Sequence, residues 1–307
     1  MPRTITLGTR SSGLAIRQTD LVLEALRESF PNAVFAVESI HSEGDRKPDI
    51  PLAQLSKGTF VTELERALFE HRIDLAVHSL KDLPTEESLH FAVMPILKRA
   101  DPRDVLINRW DLPFAQLLAG ARIGTSSPRR EALLRSLRSD LHYLPIRGNV
   151  ETRLVKASGQ DYDGVVLAAA GIERLGIAAH VAEYFDIEAC TPAPGQGALA
   201  AQVRSADTEL TAMVQSLTDA DTSAAVEAER WVLRAAGGGC QVPIGALAVI
   251  EGNRVRLTAA TSALDGSTSY RTTVAWDAND SEGAGRAAYA ALLEQGAGTL
   301  MGIEKTR

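Results

Sequence analysis

Cysteine is almost absent from this sequence. Only Cys190 and Cys240 occur in 307 residues, too few for a disulfide framework or a cysteine-rich metal site. A reducing cytoplasm suits such a chain. Long apolar runs are missing too. None approaches the ~18 residues that cross a bilayer, and residues 1–13 hold no apolar segment of the kind a secretory signal needs. Lysine is scarce, with 6 residues against 26 Arg, and acidic residues outnumber basic ones 39 to 32 for a net charge of −7. A general nucleic-acid surface is usually basic overall, so that class drops out. The histidines show no H-x-x-x-H spacing and no C-x-x-C occurs, which speaks against structural zinc. The motifs G-x-x-x-x-G-K-[ST] and G-x-S-x-G are also lacking, which removes phosphate-loop hydrolases and serine hydrolases with a nucleophile elbow.

What remains is an ordinary globular composition, 45% hydrophobic and 23% charged, at a length that suggests two or three domains of roughly 150 residues. Strand patterns over 4–7, 34–40, 75–78 and 91–96 alternate with helical spacing over 14–30 and 62–71, where Thr62 is a plausible N-cap. A second unit repeats the alternation, with strands over 122–124, 142–146 and 164–168 and helices after Pro128, over 150–158 and over 170–175. Such alternation predicts parallel-rich α/β sheets. Residues 42–57 read as a long mobile loop and 192–197 as a linker. A third unit follows: a helix over 221–235 stopped by Gly237-Gly238-Gly239, antiparallel strands over 246–250, 254–261 and 269–275, and a closing helix over 284–293.

The first two units echo each other at Leu7-Gly8-Thr9-Arg10-Ser11-Ser12 and Ile123-Gly124-Thr125-Ser126-Ser127-Pro128-Arg129. Both read as junctions from strand to helix, and two lobes facing each other would make a cleft bounded by helix N-termini. Such ends bind anions, although Ser12 and Ser127 would also serve as simple N-caps. Arg10, Arg129, Arg130, Arg147 and Arg153 recur at these turns. A guanidinium forks onto a carboxylate, so an arginine-lined cleft in an acidic protein suits a small polycarboxylate. The plainer reading is solvated surface arginine enriched by a GC-rich genome. Asp82 follows a buried strand, beside Lys81 and before Pro84. There it would stabilise a developing cation or move a proton, or simply cap a turn. Cys240 sits on a glycine-rich loop that lets a ligand approach closely, whereas Cys190, beside Thr191-Pro192, reads as a small core residue.

Together these segments resemble the porphobilinogen deaminase (hydroxymethylbilane synthase) family. The matching stretches are Lys57-Gly58-Thr59-Phe60-Val61, Ala76-Val77-His78-Ser79-Leu80-Lys81-Asp82-Leu83-Pro84, Gly124-Thr125-Ser126-Ser127-Pro128-Arg129-Arg130, Arg147-Gly148-Asn149-Val150-Glu151-Thr152-Arg153, Pro192-Ala193-Pro194-Gly195-Gln196-Gly197-Ala198 and Gly238-Gly239-Cys240-Gln241-Val242-Pro243-Ile244-Gly245. They cover nearly the whole chain in the family's order.

The resemblance implies an α/β protein of three domains. Two lobes like those of periplasmic binding proteins surround a cleft, and a smaller α+β C-terminal domain carries the cofactor cysteine. The expected bounds are 1–98 with 198–216, then 99–197, then 217–307. It implies a cytoplasmic, monomeric transferase of tetrapyrrole (haem and porphyrin) biosynthesis whose partner is the substrate porphobilinogen, with no nucleic acid and no membrane. Four porphobilinogens are deaminated and joined head to tail on a dipyrromethane cofactor, and water then releases hydroxymethylbilane. The cofactor is held by thioether to a cysteine matching Cys240, and Asp82 matches the catalytic carboxylate. Arg10, Arg129, Arg130, Arg147, Arg153 and Arg174 would hold the acetate and propionate groups, with Ser12, Lys57, Ser79, Lys81, Thr125, Ser127 and Gln196 at further site positions. Three departures stand out: Gln54 replaces a basic loop residue, Gly237 an acidic one, and Ser42-Glu43-Gly44-Asp45 keeps only part of the loop pattern. The competing readings are a non-catalytic two-lobed binding protein for a small polycarboxylate, and a thiol hydrolase that would need a His paired with Cys240.

Overall fold

The structure is a computed structural model, and it describes residues 3–40, 61–86, 88–238 and 242–301. The expected loop over 42–57, with Gln54 and Lys57, and the expected cofactor residue Cys240 lie outside the described residues. The chain divides into two compact units, residues 1–100 with 198–223 and residues 101–197 with 224–307.

The chain begins with β1 (Thr4–Arg10), α1 (Gly13–Ser29), β2 (Val34–Ile40), α2 (Thr62–Phe69), β3 (Leu75–Ser79) and β4 (Phe91–Ile96). The second unit then lays down β5 (Asp104–Asn108), β6 (Arg122–Gly124), α3 (Pro128–Arg135), β7 (His142–Leu144), α4 (Val150–Ala157), β8 (Gly164–Ala168), α5 (Ala169–Arg174) and β9 (Glu183–Tyr184). Back in the first unit come β10 (Leu199–Arg204) and α6 (Thr208–Gln215). The chain finishes with α7 (Ala220–Ala235), β11 (Ile244–Glu251), β12 (Arg254–Ser262), β13 (Ser269–Asp277) and α8 (Ser281–Glu294).

Two five-stranded sheets share one plan, with strand orders β2-β1-β3-β10-β4 and β7-β6-β8-β5-β9. In each, four strands run in one direction and the fifth runs antiparallel between its neighbours: β10 between β3 and β4, β5 between β8 and β9. The sheets are therefore mixed rather than purely parallel. Each antiparallel strand is the first one laid after the chain changes unit. A separate antiparallel meander, β11-β12-β13, completes the second unit.

Sheet pleating decides what each strand presents. In β3, Leu75 and Val77 join the core beneath α1, with Val22, Leu26, Leu199 and Val203. Ala76 faces the other way, into the cluster around Leu64, Ala67 and Leu68 of α2. His78, two residues on, shares the Ala76 face because side chains alternate along a strand. The third sheet packs on alanine-rich helix faces, including Ala228, Ala284 and Ala288. These small side chains let the helices approach closely: a Cβ on Gly285 would stand 2.3 Å from the Trp231 Cβ.

Several local expectations need correction. β1 runs on through Arg10 rather than breaking at Gly8, because Gly8, Thr9 and Arg10 pair with Glu38, Ser39 and Ile40. The N-cap of α2 is Val61, without a side-chain bond, and Thr62 lies inside the helix. The segment 192–197 is no loose linker. Pro192, Pro194, Gly195, Gln196 and Gly197 are buried. The buried Glu229 carboxylate ties that segment to the third sheet, accepting from Gly195 N at 2.7 Å and from Ala248 N at 2.8 Å. Gly237 and Gly238, at φ +89° and +67°, end α7, with Gly238 N–H donating to Leu233 O at 2.9 Å. Only glycine adopts such angles without strain, so at least two of the three glycines before Cys240 serve as a helix stop.

Candidate active site

In the first unit a pocket lies at the carboxyl ends of β1 and β3, lined by Arg10, Ser12, Gln18, His78, Ser79 and Asp82. Arg10 closes β1, and Ser12 caps α1 by accepting from Ala15 N at 3.3 Å. Beyond β3 a single 3-10 turn, Leu80–Asp82, carries the acid. Buried Leu80 and Leu83 anchor this turn. Leu80 N–H donates to Ala198 O at 3.0 Å, and Leu83 N–H donates to Leu80 O at 3.1 Å. Asp82 between them is exposed. The carboxylate thus stands on a rigid turn but projects outward, and half-buried Lys81 precedes it. Ser79 Oγ is held by Gln18 Nε2, which donates at 2.8 Å.

His78 is buried behind this pocket, with Nε2 3.0 Å from Gln202 Oε1. Gln202 Nε2 in turn donates to Glu65 Oε1 at 2.8 Å. Burial, reinforced by the charge of Arg10, pushes the His78 pKa down to about 4, so the ring is neutral at physiological pH. The sequence reading passed over His78, Gln202 and Gln18. The available signal was a histidine directly after three buried apolar residues in the strand Leu75–Ser79.

In the second unit the junction after β6 is knitted by hydroxyls. Thr125 Oγ1 accepts from Ser127 N at 3.2 Å. Ser126 Oγ donates to Ile146 O at 2.8 Å and accepts from Ile146 N at 3.0 Å. Ser127 caps α3 by accepting from Arg130 N at 3.4 Å, with Pro128 in the first turn. Both echoing serines are therefore N-caps.

Arg129 and Arg130 are not solvated surface residues. Their side chains are only 5% and 8% exposed, and both close on the fully buried Asp104. Arg129 Nη1 donates to Oδ2 at 2.7 Å, while Arg130 Nε and Nη2 donate to Oδ1 at 2.9 and 2.7 Å. Gln196 Nε2 donates to the same Oδ1 at 2.9 Å, and Cys190 Sγ lies 3.3 Å from Oδ2. Burial alone would raise the Asp104 pKa, but the two guanidinium charges reverse this and hold the carboxyl below its usual range. Burial first, and then the Asp104 charge, push the Cys190 thiol up to about 12. Thiolate is the reactive form, so Cys190 is expected to resist an alkylating reagent in native protein and to label only after unfolding. Peptide mapping of the labelled protein checks this.

The remaining predicted arginines lie nearer the surface. Arg153 Nε donates to Gly148 O at 2.8 Å, and Arg174 Nη2 donates to Gly197 O at 2.7 Å, with burial lowering the Arg174 pKa. Nη1 of Arg147 and Nε of Arg129 are enclosed without a hydrogen-bond partner among the described residues. Enclosed donors of this kind await an acceptor, and a carboxylate fits them.

Family models match nearly the whole chain: the dipyromethane cofactor binding domain of porphobilinogen deaminase over residues 5–212 and the porphobilinogen deaminase C-terminal domain over residues 223–294. The chain belongs to the porphobilinogen deaminase family. The porphobilinogen deaminase of Pelobacter propionicus is 42% identical, over 98% of this chain and 97% of that protein. That of Alkaliphilus metalliredigens is 41% identical, over 97% and 95%, and that of Roseiflexus castenholzii 43% identical, over 98% and 99%. Membership places the chain among transferases of tetrapyrrole synthesis and does not favour a non-catalytic binding protein. It also makes dipyrromethane the resident cofactor. Each unit by itself offers donors that suit carboxylate groups: in the second, Arg147 supplies an enclosed, unanswered N–H and Arg153 is half-buried; in the first, Arg10 is half-buried at its pocket.

Proposed function

We propose that this protein is a hydroxymethylbilane synthase. It deaminates porphobilinogen and joins four units head to tail, then releases the linear product by hydrolysis. The observation that carries this reading is the placement of Asp82, a projecting carboxylate on a pinned turn that shares a pocket with Arg10, Ser12 and Ser79. When bound, dipyrromethane supplies the free pyrrole carbon to which each new unit is joined.

The chain's own residues do the rest. Loss of ammonia leaves a cation on the porphobilinogen methylene, and Asp82 stabilises that positive charge and accepts hydrogen bonds from pyrrole N–H groups. Arg10, Arg147 and Arg153 bind acetate and propionate groups, aided by Ser12, Ser79, Lys81, Thr125 and Ser127. Arg129 and Arg130 hold one carboxylate, Asp104, and any ligand carboxylate they meet finds a guanidinium pair already fixed in place. Gln196 and Arg174 brace this frame through Asp104 and Gly197. Cys240 is the proposed thioether residue and Lys57 a further ligand contact. The domains are proposed at 1–98 with 198–216, 99–197 and 217–307. The enzyme is proposed to act in the cytoplasm as a monomer on porphobilinogen alone; the scarcity of cysteine agrees with a reducing compartment.

An intact-protein mass spectrum tests the proposal. Freshly purified active protein is expected to exceed the mass of its sequence by one dipyrromethane and to give the acid–aldehyde colour of pyrroles, and the Cys240→Ser variant to do neither. Active protein at the bare sequence mass would reject the reading.

A further inference from the structure

One polar chain in the first unit has no part in the scheme above. It runs from Glu65 on α2 through Gln202 on β10 to His78 on β3, and His78 forms part of the wall of the Asp82 pocket. The sheet register explains how the three meet. His78 pairs with Ala200 across β3 and β10, and Gln202 is the next residue of β10 on the same face. That is the face α2 covers, and Glu65 lies on α2.

The direction of each hydrogen bond follows from the acid at the far end. The Glu65 carboxylate can only accept, so the Gln202 group that meets it is the NH2, and the amide oxygen faces His78. That oxygen also only accepts, so His78 Nε2 carries the proton. A neutral imidazole has one N–H, which leaves Nδ1 as a bare lone pair. Nδ1 has no partner among the described residues. The charge of Arg10 disfavours a second proton on the ring. The result is a fixed, uncharged acceptor on a residue that lines the pocket, in addition to the Asp82 carboxylate and beside Arg10 and the Ser12 and Ser79 hydroxyls.

We infer that His78 is a substrate-facing residue: its Nδ1 lone pair, oriented by Gln202 and Glu65, accepts a hydrogen bond from the pyrrole N–H of the porphobilinogen bound beside Asp82. Two pyrroles meet at each condensation, and the pocket thereby offers a separate acceptor to each N–H, a carboxylate for one and an imidazole nitrogen for the other. The imidazole holds the incoming ring in register without adding charge. This rests on the assignment of the Asp82 pocket to the reacting pyrroles.

The test is 15N NMR of uniformly 15N-labelled holoenzyme. The probe is a porphobilinogen analogue bearing methyl in place of aminomethyl, which keeps the pyrrole N–H but cannot lose ammonia. In the free protein His78 is expected to show a protonated Nε2 and an unprotonated Nδ1. On adding the analogue the Nδ1 resonance is expected to move in the direction of hydrogen bonding, together with the Ser79 backbone amide. Movement of Ser79 with a silent Nδ1 overturns the role of His78 while sparing the pocket. Silence at both, at saturating analogue, overturns the pocket assignment and this inference with it.

Two variants separate the positions of the two nitrogens. His78→Asn keeps an acceptor close to where Nδ1 stood, whereas His78→Gln keeps a partner for Gln202 and loses the acceptor in the pocket. The Gln variant is expected to lose about tenfold in kcat/KM, the worth of one hydrogen bond, and the Asn variant clearly less. The reverse order would mark His78 as a structural prop and overturn the inference.

Discussion

Replacing Asp82 with alanine is expected to leave the protein folded and to cut kcat by about 10²–10³-fold, the range found when one preorganised electrostatic group is removed. Both halves follow from the turn. Leu80 and Leu83 carry its burial, and the backbone bonds to Ala198 and Leu80 close it. The Asp82 side chain points to solvent, so its loss leaves no cavity and no stranded partner. Exposed substitutions of this kind stay within about 0.5 kcal/mol. The thermal midpoint should therefore match that of the parent protein while turnover collapses. Asp82→Asn keeps the shape and removes the charge. If the charge is what stabilises the developing cation, Asn fares nearly as badly as Ala. Turnover of Asp82→Ala within a few-fold of the parent would remove Asp82 from the mechanism.

The largest effect on stability is expected at Asp104. Asp104→Ala leaves two guanidinium groups buried with no carboxylate, a loss of about 3–5 kcal/mol for breaking such a pair from one side. A shift of the urea midpoint at unchanged slope would measure it. Asp104→Asn retains one acceptor and should fall between the two. The pH dependence has a definite sign. The folded pKa is depressed relative to the unfolded chain, where an aspartate titrates near ~3.9. The contribution is therefore complete at pH values above that, and it is lost as pH falls through the folded value, below the usual carboxylate range. The parent and the Asn variant should thus keep a constant stability difference from neutral pH down to about 5 and converge only in stronger acid. A difference that faded between neutrality and pH ~5 would show that Asp104 is not held ionised by its arginines.

How much of this was written locally in the chain can be judged element by element. The strands at Val34–Ile40, Phe91–Ile96, Arg122–Gly124 and Gly164–Ala168 have the bounds that composition and punctuation suggest. β5 and β10 escaped notice. Leu199–Arg204 is buried at all but its last position, so the alternation that marks a half-exposed strand is absent. Each also pairs with partners far away in sequence. In the candidate site, Asp82 and the arginines were legible because turn chemistry surrounds them. Asp104 was not, since its contacts with Arg129, Gln196 and Cys190 span 25, 92 and 86 residues. The Glu65–Gln202 bond spans 137. Local patterns report what the neighbouring chain is doing, and these groups are brought together by the sheets.

The strand β10 lies between β3 and β4, yet about a hundred residues separate it from β4 in the chain. On the ribosome the first sheet therefore cannot close when its other four strands have emerged. It waits with a gap until residues 199–204 arrive, which at about 5–20 residues per second is a delay of about 5–20 s. During that interval β3 and β4 expose unpaired edges of the kind that invite pairing with other chains. The second sheet suffers no such delay, because β5 is made before the strands it joins. Nascent chains stalled before β10 are thus the form of this protein most open to aggregation and most in need of a chaperone.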